Sequence, residues 1–506
     1  MAKIGIDFGT TNSCLVAYDK KSDEFTYFHR EAGIPAPFPS VVCYHGREIV
    51  VGKEAKKIIN KYSTDPGHCI VSSIKSKLGS DRKELILGTL FPPFKIAADI
   101  IQYLKTNATK EGAEQANVEL HQAVFTVPIN FDGKKRADLR QAAREAGIEV
   151  LTFIHEPFAA LIGYFFHNQK WEPIRKYDGK YFLVFDWGGG TLDVTVAKAD
   201  GMQVCQLGTS ELSGRAGDAF DRDLLLRCWN RFIEKHKDKY DETLIELAFK
   251  QEQDKLLAAA ERCKISLSKF TSAEFDGGEI TFLQSARKSE YEEFIETITR
   301  EEFEQCIQGH VEAAIGKVDV ALKAANINAE QISLVLLTGG SSQIPIVEKK
   351  LRDQFSHRVR TISNPDTVIA EGAAVVAEMN WKPFLAKDIM VELSDGSYWT
   401  VFSKGTPLIT GTAIPTKEET FTCVDMRDDN AKIILCEGSH PDTRDKGLGV
   451  LNVPLEKKLE KNMHDEIKVC FDIDGNFIMS VKGHSIYRGY RTTLEVHDIC
   501  FGVEMR

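Results

Sequence analysis

One pattern occurs twice in this chain. IGIDFGTTNSCLVAYD (4–19) and LVFDWGGGTLDVTVAKAD (183–200) each run from an apolar stretch into an aspartate, then a glycine-rich turn carrying threonine, then a second apolar stretch. Two copies of one supersecondary unit predict a duplicated α/β fold with a pseudo-two-fold axis and a cleft between its halves. The chemistry of the turns is also paired. Glycines reach positive φ, so successive backbone N–H groups can point at one anion. The aspartate at each strand end, Asp7 or Asp186, sets a carboxylate where Mg²⁺ and its waters can be held. One turn from each half would grip a polyphosphate from both sides, the clamp that phosphoryl transfer needs. A single Asp-x-Gly turn is a common hairpin connection; the pair carries the argument. A third segment, SLVLLTGGSSQIP (333–345), reads as a buried strand running through Gly339 and Gly340 into a helix. Such a turn can receive the sugar or α-phosphate edge of a nucleotide.

The rest of the chain supports a mixed architecture. Residues 1–200 alternate short apolar runs with amphipathic stretches. The charged, periodic stretches 218–270 and 290–330 predict amphipathic helices. NPDTVIAEGAAVVAEM (364–379) carries small residues suited to close helix packing. From about 391 the pattern becomes strand-like, as in KIILCEG (432–438) and EIKVCFDIDGNFIMSVKG (466–483), where Ile467, Val469, Phe471 and Ile473 share one face and Asp474-Gly475 signals a hairpin. WKPFLAKD (381–388) reads as the join. With 64 Lys and Arg against 74 Asp and Glu, the net charge of −10 argues against nucleic acid as the main partner. The 11 cysteines are scattered without C-x-x-C spacing, so neither a disulfide framework nor a zinc ribbon is indicated. MAKIGIDFGT has no signal-peptide pattern and no stretch has the length of a membrane span, so the expectation is a soluble cytoplasmic protein.

These motifs together carry a resemblance. Residues 1–380 resemble the nucleotide-binding domain of the heat-shock protein 70 chaperones of DnaK type, within the actin/hexokinase-like ATPase superfamily. The matching stretches are IGIDFGTTNS, AVFTVPINFDGKKRADLRQAAREAGIEVLTFIHEPFAALIGY (123–164), FDWGGGTLDVTV, ERCKISLS (261–268), LTGGSSQIP and SNPDTVIAEGAA (363–374), in order and spacing. The resemblance implies an actin-like ATPase fold of duplicated ribonuclease-H-like lobes, about 1–182 and 183–380, then a linker at 381–390 and an all-β sandwich at 391–506. It also implies a site. Asp7 and Asp186 would hold Mg²⁺, with Glu156 beside the metal-bound water, mainly through water in each case. Gly9, Thr10 and Thr11 would form one phosphate loop, and Gly188, Gly189, Gly190 and Thr191 the other. Asp193 would orient the attacking water and Lys75, in IKSKLG (74–79), would place positive charge by the γ-phosphate. Glu261, Lys264 and Ser268, with Gly339, Gly340, Ser341, Gln343 and Asp366, fall on adenosine-contacting positions. Pro128 matches a proline that relays nucleotide state.

Departures from the family pattern shape the functional expectation. Gln343 stands where the family usually has an arginine, and an amide stacks on a base less well than a guanidinium, so nucleotide should bind more weakly or exchange faster. WKPFLAKDIM is a poor match to the family's leucine-rich linker, which puts the usual coupling between the two domains in question. In the sandwich, Phe421 and Ile433 are candidates for lining a peptide groove. The chain stops at Arg506, where the family continues into a helical lid, so a lidless member is expected. The resemblance implies slow hydrolysis of ATP to ADP and phosphate with Mg²⁺ and a candidate K⁺ site, and binding of unfolded or extended polypeptide. J-domain and exchange-factor partners and a monomer or weak oligomer follow from it. A non-hydrolysing, nucleotide-bound co-chaperone, exchange factor or adaptor stays open as the alternative, as does a small-molecule kinase on the same fold.

Overall fold

The computed structural model describes residues 1–31, 33–62, 67–113, 117–169, 177–201, 203–285, 288–362, 364–408, 416–423, 429–456 and 464–504. The first half builds a mixed sheet from β1 (Ala2–Phe8), β2 (Asn12–Asp19), β3 (Glu24–Tyr27), β4 (Val118–Val127) and β5 (Glu149–His155), in the order β5-β4-β1-β2-β3. β4 lies parallel to β1 and β5, while β2 is antiparallel to both β1 and β3. The second half builds β6 (Tyr181–Trp187), β7 (Thr191–Asp200), β8 (Gln203–Ser213), β9 (Ile332–Thr338) and β10 (Val359–Thr361), in the order β10-β9-β6-β7-β8, with the same directions. The repeated sequence therefore has a repeated topology. β1 and β6 are near-continuous apolar runs because both are central strands covered on both faces.

Helices cover these sheets: α1 (Lys53–Tyr62), α2 (Pro93–Lys110), α3 (Gly133–Glu145), α4 (Glu156–Gln169), α5 (Gly217–His236), α6 (Glu242–Lys269), α7 (Arg300–Ala324), α8 (Pro345–Phe355) and α9 (Val368–Met379). The small residues of α9 do what their size allows. A methyl on Gly372 would stand 1.8 Å from the Ala159 carbonyl oxygen of α4, and one on Gly5 of β1 would stand 2.2 Å from the Ala374 nitrogen. Backbone meets backbone there, so only glycine fits. The stretch 218–270 forms α5 and α6, separated by a turn in which the Asp241 side chain accepts from the Leu244 N–H and starts α6.

The stretch 290–330 is only partly helical, which corrects the periodicity reading. Lys288–Thr299 is a strand paired with Ser272–Ser285, and α7 starts after it on a capping box of Thr299 and Glu302. Phe294 and Ile298 are fully buried while Glu293, Ile295 and Thr297 are exposed, so the period there is two. A run rich in glutamate hides that alternation until the partner strand is present.

The C-terminal residues are all strand and loop among those described. β11 (Lys382–Leu385), β12 (Asp388–Glu392), β13 (Tyr398–Phe402), β14 (Thr416–Thr422), β15 (Asn430–Gly438), β16 (Lys446–Pro454), β17 (Glu466–Ile473), β18 (Met479–Ser485), β19 (Arg491–Val496) and β20 (Phe501–Glu504) follow in order. They form two four-stranded sheets, β13-β12-β15-β16 and β14-β17-β18-β19. Val391, Leu435 and Val453 of one and Val469, Phe471 and Val481 of the other bury their side chains in a single apolar core, which continues into the first sheet. β11 and β20 belong to neither. They extend the second sheet as β8-β20-β11, so the stretch expected as a linker carries the ladder strand β11 and the start of β12. Among the described residues, no helix is long and apolar enough to cross a membrane.

Candidate active site

The duplicated turns bring their aspartates to one place. Lys75 sits in the short 3₁₀ turn Ile74–Lys77, only 5% exposed, and its Nζ donates to Glu156 Oε1 at 2.6 Å. Glu156 opens α4, where the helix N-terminus favours a carboxylate. Burial alone would lower the Lys75 ammonium, but the charges of Glu156, Asp7 and Asp186 outweigh it and hold its pKa above the ordinary value. Burial raises the Glu156 carboxyl, and Lys75 pulls it back. Asp186 is raised well above the usual carboxylate range by burial first, then by the charges of Glu156, Asp193 and Asp7. Asp193, the cross-strand partner of Asp186, is pushed up to about 7 by burial and by Glu156 and Glu211, while the Thr191 hydroxyl bond opposes the rise. The Thr126 hydroxyl donates to Asp7 Oδ1 at 2.6 Å. Lys75, Asp7, Glu156, Asp186, Thr191 and Asp193 thus share one neighbourhood.

Four carboxyl groups crowd around one lysine, and burial with mutual repulsion raises Glu156, Asp186 and Asp193 toward their neutral forms, which a cation among them would reverse. That donor set fits a divalent cation. Among the described residues, no group of three or more His, Cys, Asp or Glu side chains is placed to hold an ion directly. The loops supply the complementary cradle. A methyl on Gly189 would stand 2.8 Å from Thr11 Oγ1, which puts the two glycine loops against each other across the halves. Gly9 is equally constrained, since its methyl would stand 2.0 Å from the Asn12 carbonyl oxygen. Thr10 beside it is half-buried. Gly188 N–H donates to the Thr191 carbonyl at 2.9 Å, and Asp218 N–H at the start of α5 donates to the Gly189 carbonyl at 2.8 Å. Ser341 Oγ donates to the Gly188 carbonyl at 2.7 Å, which ties the third glycine segment to the second loop. Gly339 has φ 79° and its methyl would stand 2.6 Å from Asp186 Oδ1. Gly190 and Gly340 face open space.

The remaining predicted residues are placed less uniformly. α6 presents Glu261, Lys264 and Ser268 at helical spacing. Lys264 Nζ donates to Asp221 Oδ2 at 2.7 Å, and Glu261 pairs at 2.8 Å with Lys56 of α1, an ion pair between the two halves. The Ser268 hydroxyl donates to its own helix at the Lys264 carbonyl. Gln343 Nε2 is buried with no hydrogen-bond partner among the described residues, an orphan donor at the end of the 3₁₀ turn Gly340–Gln343. Asp366, in the turn before α9, acts electrostatically on Cys14, the cross-strand partner of Asp7. Sequence reasoning missed Thr126, Asp221 and Lys56, because each acts through a partner far away in the chain and no local motif marks it. An apolar groove of about 440 Å³ between α5 and α6, lined by Trp229, Ile233 and Phe249 among others, contains none of the predicted site residues.

The family model for "Hsp70 protein" matches residues 83–499, most of the chain. The chain belongs to the Hsp70 family. Among curated relatives, "Chaperone protein DnaK" of Mycoplasmopsis agalactiae is 31% identical over 487 residues, covering 94% of this chain and 76% of the relative. Within this Hsp70 chain, the groove candidates sit in different sheets. Ile433 on β15 is 5% exposed and packs in the shared core, while Phe421 on β14 is half-buried against that core. The neighbouring stretches 409–415 and 424–428 lie outside the described residues.

Proposed function

We propose that this Hsp70-family chain is an ATP-hydrolysing, chaperone-type protein. Its two equivalent sheets are read as the duplicated lobes of an actin-like ATPase over about residues 1–380, and its two C-terminal sheets as a β sandwich that takes extended polypeptide. The observation that supports this reading best is the Lys75–Glu156 ion pair, buried among Asp7, Asp186 and Asp193 where the two glycine loops meet.

In this reading the N–H groups of Gly9 to Thr11 and Gly188 to Gly190 receive the β- and γ-phosphates, and Thr191 reaches the γ-phosphate. Asp7, Asp186 and Glu156 would hold Mg²⁺, mainly through water, and the ion would supply neutralisation of phosphate charge. Lys75 offers a fixed cation to the charge that develops on the transferred group. Its buried partner Glu156 keeps it oriented. Asp193 positions a water in line with the γ-phosphate. In the same reading Glu261, Lys264 and Ser268 of α6, with the Gly339 turn, take the base and sugar. J-domain and exchange-factor partners and a cytoplasmic location belong to the same reading.

The test is ATP turnover of the purified chain, alone and with the Lys75→Ala and Asp186→Ala variants. Slow turnover above the buffer blank, lost in both variants, supports the reading. Wild-type turnover at the blank with intact nucleotide binding would overturn hydrolysis.

A further inference from the structure

Two carboxyl side chains face each other on β7 and β8. Asp193 and Glu211 are directly opposite in the ladder, a place where like charges cost stability. The charge of Glu211 is felt at Asp193, where it adds to the rise caused first by burial and then by Glu156. Glu211 is held from the other half of the molecule. Its Oε2 accepts a hydrogen bond from Asn130 Nδ2 at 2.5 Å, across 81 residues of sequence. Both residues are exposed, so this bond carries little of the fold's stability. β8 is itself fixed beside the second glycine loop. Gly214 N–H, just past its end, donates to the Gly190 carbonyl at 3.3 Å.

Asn130 stands in the short turn between β4 and α3, and that turn is secured at both ends. Val127 closes the ladder of β4 with His155 of β5. Phe131 N–H donates to the Pro128 carbonyl at 3.1 Å, and the Asp132 side chain caps α3 by accepting the Lys135 N–H at 2.9 Å. The same few residues meet what the first half brings to the site. Thr126 donates to Asp7 Oδ1. The Phe131 ring, 4% exposed, has the Lys75 ammonium 5.8 Å from its centre, and Arg136 Nη1 donates to the Phe131 carbonyl. Asn130 thus reaches from the segment that seats Lys75 and Asp7 to the residue opposite Asp193.

We propose that Asn130 and Glu211 are a positioning pair that holds Asp193 of the second half in register with Lys75 of the first. The proposal rests on the ATP reading given above. In that reading the transferred phosphoryl group needs its cation and its attacking water in line, and the residues that place them come from different halves. A misplacement of about 1 Å between such groups can cost about 10²-fold in rate. Neither Asn130 nor Glu211 belongs to a glycine loop, so the pair acts through Asp193 rather than on the phosphates. Without the amide, Glu211 is free to turn back toward Asp193, and repulsion between the two carboxyl groups moves Asp193 off line.

Phosphate release from bound ATP in a single turnover, with ATP affinity by titration calorimetry, tests the pair on the full chain. Asn130→Ala and Glu211→Ala should each slow release by about tenfold or more, with ATP affinity within about twofold of wild type. Their thermal midpoints should be unchanged. The double variant should be no slower than the slower single one, because the two residues act as one unit. Glu211→Gln keeps an acceptor for Asn130 and should recover most of the rate. Release by Asn130→Ala within about twofold of wild type would overturn the pair. So would a Glu211→Gln variant as slow as Glu211→Ala, since the charge and not the bond would then matter. A loss of affinity that matches the loss of rate would make both residues nucleotide contacts and would also overturn it. Wild type that binds ATP without turnover fails the ATP reading, and the pair falls with it. Wild-type turnover with an indifferent Asn130→Ala variant removes the pair alone.

Discussion

The two halves share a topology and differ in chemistry at matching positions. Asp7 and Asp186 end equivalent strands, and the threonines beside them, Thr126 on β4 and Thr338 on β9, are equivalent too. Yet Thr126 Oγ1 donates to Asp7 at 2.6 Å, whereas Thr338 Oγ1 is buried with no hydrogen-bond partner among the described residues. Gly5 of β1 lets α9 come to backbone contact, while Val184 stands at the corresponding place in β6. Each half also carries a buried lysine–carboxylate pair, but with different placement. Lys75–Glu156 faces both aspartates, and Lys264–Asp221 joins α6 to α5 beside the second loop. The two sheets repeat one topology, and the side chains at matching positions differ. The first half provides the cation, and the second provides Asp193.

That comparison can be broken at several points. The largest effect is expected at the cation. Lys75→Ala should lower ATP turnover by about 10²–10³-fold, or about 3–4 kcal/mol, with little change in nucleotide affinity by titration calorimetry. Loss of affinity with unchanged turnover of bound ATP would instead make Lys75 a binding residue. Next, Gly5→Val gives the first half the side chain of the second. Overpacking against the Ala374 backbone should cost about 3 kcal/mol or more, read as a fall in the urea midpoint, whereas a neutral result would show that α9 can move away.

The Lys264–Asp221 pair sets a pH test. Burial, opposed by Lys264, raises the Asp221 carboxyl to about 6. The folded chain therefore binds this proton more tightly than the unfolded chain does. The contribution is full below the unfolded value near 4 and is lost as pH rises through about 6. Asp221→Asn should remove up to about 2–3 kcal/mol of pH dependence across that window. An unchanged stability profile between pH 4 and 6 would assign the slope to other groups. The smallest effects come from the threonines. Thr126→Val leaves Asp7 without its donor and should cost about 1–2 kcal/mol. Thr338→Val removes a buried, unsatisfied hydroxyl and should leave stability unchanged or raise it by about 1 kcal/mol. Equal costs for the two would mean that the halves are more alike than their hydrogen bonds show.

The sequence by itself determined the repeat, the residue types of the loops and the Hsp70 membership, because these are written in short contiguous motifs whose glycines and aspartates have few other uses together. It also showed the alternation in 466–483, where period and turn residues agree. It did not show that Lys288–Thr299 is a strand, because its pattern becomes clear only against Ser272–Ser285. It did not show that Thr126 serves Asp7, that Lys56 meets Glu261, or that Asp221 holds Lys264, since each pair joins residues that the chain separates widely. Least of all could it show that 382–385 and 501–504 lie side by side in the sheet of the second half. Strand pairing is decided by the backbone and by whichever edge lies open, and β8 has such an edge only once the fold has formed. Short motifs carry chemistry; the tertiary structure chose the partners.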